Sequence, residues 1–328
     1  ALKNSSEVSE NTRNLVIKTA SKLGYKNATF ATPVIPASET GSNGTILFLT
    51  RTYASDSEFW TTVLRGIESI LSNANYHLAI SIMSDSDLKQ LNFPQTISDS
   101  SIKGIILVEI CDKVVCDALS QFNLPIVSVD MPNVPFEELN GIDVVTMESK
   151  KNLKKIINQL IEKGAESFGF VGDLYSPNVS RGFQERYNAL SECLAEHQLP
   201  LNQKNCLLHQ TPEDFRNFQT TVNNLQAMIS LPDVFICGND WTAIQLIYAL
   251  QFLGFQIPKD ICVVGFDNIP AASRISPSLT TISTPQKYLG IAAARQILER
   301  IQHPNCPHVF CQYETELIIR NSTNITSF

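Results

Sequence analysis

At 328 residues with 43% hydrophobic side chains, the chain is long and apolar enough for two packed units of about 100–200 residues each, which excludes a disordered or collagen-like polymer. Lysine and arginine number 25 against 32 aspartates and glutamates, a net charge of −7, so a general nucleic-acid coat is excluded and any nucleic-acid contact must be local. No run approaches the roughly 18 consecutive apolar residues of a membrane span, and no short apolar region follows an initial positive cluster. A chain without a membrane partner is expected. The eight cysteines never form Cys-x-x-Cys and mostly sit inside apolar patterns, which fits free thiols in the reducing cytoplasm.

In chain order, residues 7–24 place Val8, Leu15, Val16, Thr19 and Leu23 at helical spacing, with Ser9 as N-cap and Gly24 as stop. Residues 27–44 carry Pro33 and Pro36 with neither period, and read as a linker. Beyond it, strand and helix alternate: TILFLT (45–50), a helix through Phe59–Leu71, HLAISIM (77–83), KGIILVEI (103–110), a helix through Val114–Phe122 and PIVSVD (125–130). A second series follows: a helix at about 149–163, FGFVG (168–172), helices at 183–197 and 213–229, DVFICG (233–238), a helix at 240–253 and ICVVGFD (261–267). Residues 285–302 read as another helix and 309–320 as a final strand. Short Val/Ile/Leu runs joined by helices require crossover connections, so two parallel sheets covered on both faces are expected.

Open parallel sheets bind ligands beyond the carboxyl ends of their strands. Asp130, Asp267 and the Asn239–Asp240 pair each end such a strand, where carboxylates and amides can bridge several hydroxyls. For Asn239 and Asp240, a helix N-cap is an equal alternative that can coexist with ligand contact. For Asp267, followed by Asn268 and Pro270, a plain turn role stands beside the ligand role. Arg186, in an otherwise apolar helix, offers a five-donor fork for ligand oxygens or, more commonly, faces solvent. Trp60 and Trp241 are candidate stacking platforms, although aromatics at helical spacing more often belong to the core. The histidines show no metal-ligand spacing, and there is no nucleophile elbow, phosphate loop or dinucleotide fingerprint. Neither a metal nor a cofactor is expected, and no paired nucleophile and base supports an enzyme.

The segment ALKNSSEVSENTRNLVIKTASKLGY (1–25) is similar to the end of the headpiece of LacI/GalR transcriptional regulators, with Leu2, Asn4, Ser6, Val8, Ser9, Thr12, Arg13, Val16, Ala20, Leu23, Gly24 and Tyr25 in register. The resemblance continues in LRGIE (64–68), ERYNALSECL (185–194), GND (238–240), PKDICVVGFDNIP (258–270) and SLTTI (278–282). It implies an α/β fold: a two-lobed, periplasmic-binding-protein-like core of two parallel-sheet, Rossmann-like subdomains, with a partial helix-turn-helix headpiece whose N-terminal part is truncated. The implied divisions are 1–26 for the headpiece remnant, 27–44 for the linker, 45–147 with about 284–312 for the first lobe, and 148–283 with about 313–328 for the second.

By the same resemblance, the function is an effector-responsive, DNA-binding repressor. The chain would act as a homodimer, reading operator DNA through a complete headpiece and holding a sugar or sugar phosphate between its lobes. Asp130, Arg186, Asn239 and Asp267 fall on the family's effector positions, with Asp240 and Trp241 beside them and His209 where an effector-facing aromatic often lies; Trp60 joins the effector site as a stacking candidate, and Lys3 and Asn4 fall in the DNA-contacting headpiece. The sequence departs from the pattern at two places. The linker lacks the R-x-A-x-x-L hinge helix, and MESKKNLK replaces D-N-x-x-G-G after Thr146. The rival readings are a solute-binding protein of a transport system and an α/β enzyme.

Overall fold

The computed structural model describes residues 42–51, 57–174, 179–209 and 217–325. The helix read over 7–24, the linker before residue 42, Lys3 and Asn4 lie outside the described residues. The chain divides into a unit of Ala1–Ser42 and a unit of Asn43–Phe328, and the second carries the fold that follows.

That unit holds two six-stranded sheets. The first contains β1 (Thr45–Thr50), β2 (His77–Ile82), β3 (Ile102–Val108), β4 (Ile126–Val129), β5 (Ile142–Met147) and, from far along the chain, β11 (Phe310–Tyr313), in the order β11-β5-β4-β3-β1-β2. The second contains β6 (Phe168–Asp173), β7 (Leu207–His209), β8 (Val234–Cys237), β9 (Cys262–Asp267), β10 (Thr280–Ser283) and β12 (Glu316–Ile318), in the order β12-β10-β9-β8-β6-β7. Among the described pairings, the antiparallel one is β10 with β12. The central strands are buried on both faces, which is why they read as unbroken apolar runs rather than alternating ones.

Eight helices are described: α1 (Glu58–Asn73), α2 (Asp85–Gln90), α3 (Lys113–Ser120), α4 (Lys151–Glu162), α5 (Arg181–Glu196), α6 (Phe218–Ala227), α7 (Asp240–Phe252) and α8 (Gln286–Gln302). The run 309–320, expected as one strand, is two strands in different sheets. The chain passes between sheets after β5, between β10 and α8, and between β11 and β12. Two of these crossings are laced together: Glu148 N donates to Tyr313 O at 2.8 Å, Asn152 Nδ2 to Thr315 O at 2.8 Å, and Lys151 pairs with Glu314 at 3.2 Å. Helix α8 returns to the first sheet and packs on α1 at a glycine-to-glycine crossing. A side chain on Gly290 would collide with the Val63 carbonyl, and one on Gly66 with that of Lys287.

Candidate ligand cleft

The carboxyl ends of the strands bring the sequence-predicted acids toward one another across the two lobes. Asp130 follows β4 with φ +73°, while Asp267 ends β9 with φ +117° and is followed by Asn268 at φ +56°. Left-handed backbone at non-glycine residues costs about 1–3 kcal/mol each and persists only where its surroundings hold it. Such strain is concentrated at sites that must aim a side chain. Asp130 Oδ1 accepts from Met131 N at 2.8 Å, and the Ser180 hydroxyl of the opposite lobe also bonds its carboxyl.

Between the acids lies Arg186, carried on α5 and only 3% exposed. Its guanidinium lies 3.6 Å from the Phe266 ring centroid and 5.1 Å from that of Phe183, and Nη1 donates to Gly238 O at 2.6 Å. Two aromatic faces thus hold a desolvated cation by its quadrupole attraction. Arg186 Nε is buried and has no acceptor among the described residues. Burial lowers the arginine's pKa, countered by Asp267, Asp130 and Asp240. Burial likewise raises Asp130 and pushes Asp267 well above the usual carboxylate range, with Arg186 opposing both shifts. One cation among several buried acids makes a site that both donates to and accepts from hydroxyl groups.

The remaining predicted residues are placed differently. Asn239 caps α7, its Oδ1 accepting from Thr242 N at 2.9 Å. Asp240, expected in the mouth, is 0% exposed: Oδ1 accepts from Thr281 Oγ1 at 2.5 Å and Oδ2 from Ile269 N at 2.9 Å. Both of its oxygens are engaged inside the second lobe, so it offers no face to a ligand, and burial raises its carboxyl to about 7. Trp241 is exposed at the start of α7, and Trp60 packs against the core with its ring edge-on to Phe59 at 4.6 Å. His209 ends β7 in register with Asp173, and its side chain lies outside the described residues.

Sequence reasoning missed Ser180, Phe183, Phe266 and Ser149. Ser180 had a usable signal: its side chain accepts from Phe183 N as the N-cap of α5. Phe266 was hidden within a strand that reads as core. Ser149 Oγ is buried without a partner among the described residues; it and Arg186 Nη2 lie 3.5 and 3.3 Å from the point where a Gly182 side chain would begin.

The lobes also meet through backbone. Pro132 and Ser180 form an antiparallel bridge, Arg181 N donates to Met131 O at 2.9 Å and Asn133 N to Val179 O at 3.1 Å. A donor in the first turn of α5, which no helix can satisfy internally, therefore finds its acceptor in the opposite lobe. Elsewhere Ala271 N donates to Glu58 Oε2 at 3.2 Å.

A family model described as a periplasmic binding protein-like domain matches residues 157–323, just over half of the chain. The chain belongs to that family. Its curated relatives include proteins named as transcriptional repressors. The Ribose operon repressor of Haemophilus influenzae is 26% identical over 319 residues, covering 96% of this chain and 90% of that protein. The HTH-type transcriptional repressor PurR of Photobacterium profundum is 26% identical over 273 residues, covering 82% and 78% respectively. A LacI family transcriptional regulator from Enterococcus faecium, solved with bound ribose, shares the fold at a TM-score of 0.69 and 24% identity, covering 85% of this chain and 98% of that one.

Proposed function

We propose that this LacI/GalR-family chain is an effector-responsive transcriptional repressor that holds a sugar or sugar phosphate between its lobes. The observation that carries this reading is the buried Arg186, stacked on Phe266 and flanked by Asp130 from one lobe and Asp267 from the other. Such a site meets a polyol with carboxylate acceptors and guanidinium donors at once, and both lobes contribute. Ligand contacts that differ between lobe arrangements shift the balance of those arrangements, and the shift is felt as a coupling free energy at a DNA-binding headpiece. The ribose-related names of one relative and one solved neighbour support a sugar as the first class to try.

In this reading residues 1–26 belong to the headpiece, with Lys3 and Asn4 at the operator, and 27–44 form the linker. Residues 45–147 with about 284–312, and 148–283 with about 313–328, are the two lobes. The protein acts in the cytoplasm as a homodimer. Among the described residues no helix is long and apolar enough to cross a membrane.

The test is a thermal-shift screen with D-ribose, other sugars and their phosphates. A ligand at a hundredfold excess over its dissociation constant stabilises by roughly 2.7 kcal/mol. Asp267→Ala and Arg186→Ala should each abolish that stabilisation, since each removes charged hydrogen bonds worth about 1.5–3 kcal/mol. Normal stabilisation of both variants would place the ligand elsewhere.

A further inference from the structure

The left-handed pair Asp267–Asn268 has to be held, and the hydrogen bonds around it show what holds it. The Asp267 carbonyl accepts from Gln286 Nε2 at 2.7 Å and Thr284 Oγ1 at 3.2 Å, both from the segment that leads into α8. The Asn268 side chain bonds Arg320 Nη2 at 2.6 Å and Ser283 Oγ at 3.1 Å. The main-chain donors on the exit side converge on one carboxyl. Ile269 N reaches Asp240 Oδ2 at 2.9 Å, the Asn268 backbone also bonds Asp240, and Thr281 Oγ1, itself 3.4 Å from Asn268 N, donates to Asp240 Oδ1. Strand β9 makes room for this carboxyl, because a side chain at Gly265 would occupy the place of Asp240 Oδ1. Helix α7, β9 and β10 thus meet at a group that has no exposure to the cleft.

We infer that Asp240 is a positioning residue for the cleft: by fixing the main-chain donors of Asn268 and Ile269 it imposes the backbone turn that presents Asp267 to Arg186. Asn239 and Asp240 divide the work of one helix start, the first capping α7 and the second bracing the turn behind the cleft wall. The inference rests on the ligand reading of the cleft for its purpose, but its geometry can be tested without any ligand.

The experiment is backbone amide hydrogen exchange on the full chain, comparing the wild type with Asp240→Ala, Asp240→Asn and Thr281→Val. In Asp240→Ala the amides of Asn268 and Ile269 should exchange about tenfold faster, while those of the β8 and β9 core, such as Ile236 and Val264, keep their protection. Asp240→Asn should restore slow exchange, since its Oδ1 accepts from Ile269 N and its amide donates to Thr281 Oγ1. Thr281→Val, which leaves Asp240 in place, should raise exchange at Asn268 and serves if the alanine variant does not fold. Unchanged exchange at 268 and 269, a uniform rise through the second lobe, or an asparagine variant as loose as alanine would each overturn the inference. If no sugar or sugar phosphate stabilises the wild type, the ligand reading fails while the exchange result stands by itself.

Discussion

Asp240 is a carboxyl that the fold keeps without solvent and without a countercharge in bonding contact. Its folded-state value of about 7, set first by burial, stands against 3.8 for the ordinary group. The folded chain therefore takes up this proton before the unfolded chain does. Stability from this group rises as pH falls through about 7 toward 4, and is lower by roughly 4 kcal/mol above 7 than below 4. Asp240→Asn, which carries no titrating proton, should flatten the dependence of unfolding free energy on pH between 4 and 7 and stabilise the protein most at pH 8. Denaturant unfolding at pH 5, 6.5 and 8 measures it; parallel wild-type and variant curves would remove Asp240 as the source. Asp130 and Asp267, also raised by burial, act with the same sign, whereas Asp143, which accepts from Arg300, Val309 N and Gln296 and is lowered overall, acts with the opposite sign: its contribution is present above the ordinary carboxylate range and lost as pH falls below it. At this scale the sequence marked Asp130 and Asp267 because position at a strand end is a local property, whereas Arg186, inside a helix, was marked by the family resemblance. The sequence could not separate Asp240 from Asn239, since the partner that draws Asp240 inward, Thr281, is 41 residues away.

The contact between α1 and α8 is made by Gly66 and Gly290, each pressed against the other helix's backbone. Gly290→Ala would have to drive the helices apart. Overpacking of this kind costs about 1–3 kcal/mol, more than alanine recovers in helix propensity, so a lowered denaturant midpoint is expected and a raised one would contradict the close crossing. The elements that were legible in the sequence are those whose burial comes from their own apolar runs, such as β1, β3, β8 and β9. Strand β5 escaped because Asp143 interrupts it. That residue is 0% exposed, and the Arg300 that neutralises it at 2.8 Å lies on α8, far along the chain. Strand β10 escaped for the same reason: Thr280 and Thr281 look polar, yet their hydroxyls are satisfied by Arg320 O, Thr323 and Asp240. The break at Glu314–Thr315 that divides β11 from β12 carries no proline or glycine to announce it.

For the whole molecule, α7 is apolar almost all round and leaves Trp241, Tyr248 and Phe252 exposed along one side, with the Phe218 ring 5.8 Å from Phe252. A helix of that composition is normally covered, and a second copy of the chain is the partner the homodimer reading supplies. Sedimentation of the wild type at micromolar concentration should therefore give a dimer, and Tyr248→Glu with Phe252→Lys a monomer of unchanged helix content. A double variant that still sediments as a dimer would move the interface to another face. The three crossings have a consequence for how the molecule is made. Because β11 and α8 come late in the chain, the first lobe cannot be completed until about residue 313 has been synthesised, well after β1–β5. At roughly 5–20 residues per second, that interval is on the order of ten seconds. During it the apolar surface that Leu289, Ala293 and Ile297 later bury stands open, and the second lobe still lacks β12 and Ser322, which bonds β9 and β10. A newborn chain is thus two lobes waiting on the same late stretch of sequence, and a ribosome-associated chaperone would have to shield both until it emerges.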